Sequence, residues 1–87
     1  MPQHKHDFVE VYTGLVGYGL DRPTDEATVQ VYLQKLSDDD MMAKLLPRLK
    51  PEELDTIFEL VSRLLRDHLS EEEYHQTFLK DPGHQRY

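Results

Sequence analysis

Hydrophobic residues recur along this chain at helical spacing, most clearly between Pro51 and Leu69. Leu54, Ile57, Phe58, Val61, Leu64 and Leu65 follow the i, i+3, i+4, i+7 pattern that gathers side chains on one helix face. Leu60 and Leu69 widen the stripe, while Asp55, Glu59, Ser62, Arg63 and Arg66 fill the other side. Pro51 suits the first helical position, where a missing N–H costs nothing. So wide a stripe asks for neighbours on several sides. Helix 51–69 is therefore expected to be the central element of an all-helical domain.

The same reading predicts four further helices. Over 7–18, Phe8, Val11, Tyr12 and Leu15 share a helical face, and Gly17 or Gly19 is the expected stop. The run FVEVYT also alternates in the manner of a strand, but no other stretch offers it a partner. Over 24–36, Thr24 is the expected N-cap, and Val29, Tyr32, Leu33 and Leu36 form the stripe with Val31 on the opposite side. Over 38–47, Ser37 is the expected cap, Met41, Met42, Leu45 and Leu46 the buried face, and Pro47 the terminator. Over 71–80, Ser70 and Glu73 form a capping box, and Tyr74, Phe78 and Leu79 point inward.

Together these predict an all-α fold: a compact single-domain bundle of five short helices around helix 51–69, spanning 1–81, with 82–87 as a loose tail. Oblique crossings are expected, because the corners are short and the helices unequal. The expected core is Phe8, Tyr12, Leu15, Tyr32, Leu33, Leu36, Leu45, Leu46, Leu54, Ile57, Phe58, Val61, Leu65, Tyr74 and Phe78.

Composition narrows the function. The chain has 87 residues, no cysteine and a net charge of −7. Disulfides and thiolate metal sites are thereby excluded, and direct binding to nucleic acid is disfavoured, since phosphates demand a basic surface. No apolar run reaches the roughly 20 residues of a membrane span, and MPQHKHD lacks the apolar core of a signal peptide. The expectation is a cytoplasmic protein that does not engage membranes. Acid is concentrated in residues 21–40, while Lys44, Arg48 and Lys50 make the one basic island.

Candidate chemistry is sparse. Gly14, Gly17 and Gly19 lack the order and context of a phosphate-binding loop, and Asp38-Asp39-Asp40 lacks the alternation of a calcium loop. Helix ends and helix starts explain both better. His4 and His6 could hold a metal only weakly near a terminus. The corner of His68, Glu71 and His75 is the one set that could serve metal binding or acid–base chemistry. Glu72-x-x-His75 matches one element of a di-iron bundle, which needs two such elements and two more carboxylates. Dipole and core roles for the two histidines explain that corner better, so no catalytic residue, cofactor or metal is assigned.

The favoured expectation is a non-enzymatic protein-interaction module, with an unidentified protein or a second copy as partner. Val9, Val16, Val31 and Leu60 are its expected contact residues, because they lie at or beyond the edges of their stripes. An acidic regulator of nucleic-acid machinery is the alternative, and a small metal-binding or catalytic protein using His68, Glu71 and His75 a further one.

Overall fold

The structure, a computed structural model, describes residues 4–80. The expected tail at 82–87 and the domain boundary at 81 lie outside the described residues. Among the described residues every regular element is helical and none is a strand, so the chain is all-α. The helices are α1 (Asp7–Val11), α2 (Arg22–Leu36), α3 (Asp39–Leu45), α4 (Pro51–His68) and α5 (Glu71–Glu73). A 3-10 turn, Leu46–Arg48, follows α3, and a π-helical stretch, Tyr74–Leu79, extends α5. The chain divides into two compact units, one of residues 5–48 and one that holds 49–80.

In the first unit, α1 stops at Val11, where Tyr12 turns extended, not at the expected glycines. Three of the five α1 residues are β-branched or aromatic, which gives so short a helix little intrinsic support. Phe8 stacks on Tyr12 at 5.0 Å, and the Tyr12 hydroxyl donates to the Leu15 carbonyl at 2.8 Å. The phenol ring lies where a Cβ on Gly14 would stand.

The cap of helix α2 lies three residues before the expected Thr24. Asp21 is the cap, its carboxylate accepting the Thr24 N–H at 2.9 Å, and Pro23 sits in the first turn where its missing N–H is harmless. Similarly Asp38, not Ser37, caps α3 by accepting the Met41 N–H at 3.2 Å. Ser37 instead closes α2, its hydroxyl donating to the Gln34 carbonyl at 3.0 Å.

The buried face of α2 also differs from expectation. Val31 is the buried hydrophobe at 7% exposure and Thr28 is buried beside it, whereas Tyr32 is 67% exposed and Val29, Leu33 and Leu36 are exposed too. The cause is hydrogen bonding. Residues 12–20 have no regular ladder, so their N–H groups need acceptors, and the polar side of α2 supplies them. Thr28 Oγ1 accepts from Gly17 and Asp25 Oδ1 accepts from Gly19 at 2.8 Å, while Gln34 Oε1 takes the Val9 N–H, left unpaired in the first turn of α1, at 3.0 Å. Gly19 itself has φ +92, a conformation that glycine adopts without strain.

In the second unit, α4 starts at Pro51 as expected, and the Glu53 carboxylate accepts the Lys50 N–H at 2.8 Å. It ends at His68, with Leu69 extended. The Ser70 capping box is formed on both sides: Glu73 N–H donates to Ser70 Oγ at 3.1 Å, and Ser70 N–H donates to the Glu73 carboxylate at 2.8 Å. Tyr74 stacks on Phe78 at 5.4 Å in the π-helical stretch, which Lys80 closes in the left-handed conformation at φ 51.

The expected core does not form along α4. Every residue from Pro51 to Val61 is exposed, Phe58 at 73%. Leu15, Leu46 and Phe78 are exposed as well, while Phe8, Tyr12, Leu45, Leu65 and Tyr74 are half-buried. A stripe at helical spacing shows which face can be buried; it does not supply the wall that buries it.

Candidate interaction surface

Two apolar faces stand open, one in each unit. In the unit of residues 49–80, Leu54, Ile57, Leu60, Val61 and Leu64 lie with Phe58 on one side of α4, all exposed. The opposite side carries Glu52, Asp55, Glu59, Arg63 and Arg66, so the helix is sharply two-sided. In the unit of residues 5–48, Tyr18, Val29, Tyr32 and Leu33 edge a shallow apolar notch of about 330 Å3, floored by Gly17 and Thr28. Its shape follows from the Gly17–Thr28 hydrogen bonds, which hold the 12–20 segment at the rim of α2.

The residues expected to form one contact patch are divided. Val9 is half-buried, with its N–H on Gln34. Val16 is exposed, and Leu60 is exposed in the other unit. Val31 is buried and leaves the set, because α2 turns its polar side and not its Val29–Leu36 stripe toward the 12–20 segment. The α4 face was legible in the sequence as a core stripe, and its exposure was not. The notch was missed, since its floor depends on hydrogen bonds between residues 11 positions apart.

The His68, Glu71 and His75 corner is only partly assembled. His75 is buried, and its Nε2 lies 3.5 Å from Glu71 Oε2 across one helical turn. The Tyr74 ring meets the imidazole edge-on at 5.6 Å. His68 is exposed on α4. Among the described residues no three His, Cys, Asp or Glu side chains converge to hold a metal.

The electrostatic perturbations lie at the start of α2. The Thr24 N–H, and secondly the Thr24 hydroxyl, hold the Asp21 carboxyl below its usual range. Arg22 donates to Glu26 at 2.6 Å, and that carboxylate raises the guanidinium further. Both groups are open to water, and a helix cap at Asp21 and a one-turn ion pair at Arg22 explain them without a ligand. Among the described residues no helix is long and apolar enough to cross a membrane. Comparison with family models, curated proteins and solved structures finds no match to this chain.

Proposed function

We propose that this protein is a non-enzymatic protein-interaction module that offers the apolar face of α4 to a partner chain. The observation that supports this reading is the exposure of Leu54, Ile57, Phe58, Leu60, Val61 and Leu64 together on one helix. Contiguous apolar patches of this kind mark association sites, because leaving them wet forgoes the stabilisation of burial. An 18-residue amphipathic helix also draws most of its own stability from packing that face. The partner is a second copy of the chain or another protein with a complementary apolar strip.

Immobilised wild-type chain and a Phe58→Glu variant test the reading. The wild type should retain a partner, itself or another protein, that the variant loses at equal helical circular dichroism. Identical retention by both chains would refute the use of this face.

A further inference from the structure

The notch on α2 opens into a longer trough. Tyr18, Val29 and Leu33, which edge the notch, also line a second hollow of about 730 Å3 that reaches Arg22, Asp25 and Glu26 at the start of α2. Every lining residue lies between 17 and 34, within one unit. The two ends differ in chemistry. At the notch the walls are apolar and aromatic, and both tyrosine rings stand largely open to water. At the other end are two carboxylates and one guanidinium. Arg22 is committed to Glu26 at 2.6 Å, which leaves Asp25 as the carboxylate in excess. Asp25 is also fixed in place, its Oδ1 accepting the Gly19 N–H at 2.8 Å and the Leu20 N–H at 3.4 Å. Its Oδ2 has no hydrogen-bond partner among the described residues. A carboxylate already held by the fold costs little further ordering when it meets a cation.

We propose that this trough binds an extended segment of a partner protein that carries a lysine or arginine two or three residues from an apolar or aromatic side chain. The cation meets Asp25 Oδ2, and the apolar side chain fills the notch between Tyr18 and Tyr32. The spacing follows from α2: Val29 and Tyr32 lie about 6 and 10 Å along the helix from Asp25. An extended segment rises about 3.3 Å per residue, so two or three residues span the same distance. Charge favours the same partner. Residues 21–40 carry six carboxylates against two cations, which attract a basic segment and repel an acidic one. This second contact face does not depend on α4.

Selection of random octapeptides displayed on phage against the immobilised full chain tests this. Recovered sequences should be enriched in a lysine or arginine two or three positions from an apolar or aromatic residue. A synthetic peptide of the recovered consensus should bind Tyr32→Ala about tenfold more weakly than wild type, at equal helical circular dichroism. Asp25→Asn keeps an oxygen for the Gly19 N–H; it should weaken binding by about fivefold and remove most of its dependence on salt. Phe58→Glu should leave peptide binding unchanged. A selection that enriches no such pattern overturns the proposal, as does a consensus peptide that binds Tyr32→Ala and Asp25→Asn as it binds wild type. Binding lost in Phe58→Glu alone would place the peptide on α4, so that this inference falls and the interaction module stands. Self-association of the chain that Tyr32→Ala abolishes would make a second copy the occupant, and would overturn it too.

Discussion

Gly17 and Thr28 exchange two hydrogen bonds through a single hydroxyl. The Gly17 N–H donates to Thr28 Oγ1 at 3.0 Å, and the hydroxyl donates back to the Gly17 carbonyl at 3.2 Å. Thr28 is 5% exposed, so water cannot readily replace it. Thr28→Val keeps the shape but strands both backbone groups, and should destabilise by about 1–3 kcal/mol in denaturant melts. Thr28→Ser keeps the hydroxyl and should lose less; a Thr28→Val chain as stable as wild type would show that the two hydroxyl bonds contribute nothing.

The Asp21 cap makes α2 sensitive to acid. Its carboxyl lies below the ordinary value because the charged form accepts the Thr24 N–H. The stabilisation is therefore whole above the ordinary Asp value of about 3.9 and is lost as pH falls through the lowered folded value. Asp21→Asn keeps a capping oxygen without the titration, so it should remove this part of the acid dependence while preserving α2. Helix content followed against pH for both chains checks it.

The corner at Ser70 should be worth on the order of 1 kcal/mol, the usual cost of losing a side-chain cap. Ser70→Ala removes the acceptor for the Glu73 N–H. Thermal melts of this variant should fall below wild type, whereas Ser70→Asp, which retains an acceptor, should not.

Burial predicts an inversion of the usual ranking of side chains by size. With Val31 buried and Phe58 open to solvent, Val31→Ala should cost about 1–2 kcal/mol and Phe58→Ala less than about 0.5, measured where the chain is monomeric. A larger loss at Phe58 under those conditions would place it in a core.

Helix starts and stops were largely legible because they are local chemistry. Pro51 at a first turn, Pro47 after a last one, and Ser70 three residues before Glu73 each act within one turn. Asp21 was legible in principle, since an Asp two residues before Pro23 is a good start signal, but Thr24 offered an equally local cap. The face that α2 buries was not legible. Periodicity favoured Val29, Tyr32, Leu33 and Leu36, and the choice of the Thr28–Val31 side turns on N–H groups of another segment. Likewise nothing local to Phe58 records whether a wall stands opposite it. The His68–Glu71–His75 corner was half legible: the one-turn spacing of Glu71 and His75 brings them near, and the helix break at Leu69 carries no such rule for His68.

The polar side of α2 has a kinetic consequence. Its acceptors reach back only 6, 11 and 25 residues, to Gly19, Gly17 and Val9. The 6- and 11-residue contacts close short loops and form quickly, so α2 can serve as a template on which the preceding segment settles, with the 25-residue contact to Val9 closing last. The segment can also detach one hydrogen bond at a time while the ladder within α2 stays closed. Amide exchange at Val9, Gly17 and Gly19 would then report partial openings, far more frequent than the unfolding needed to expose the middle of α2.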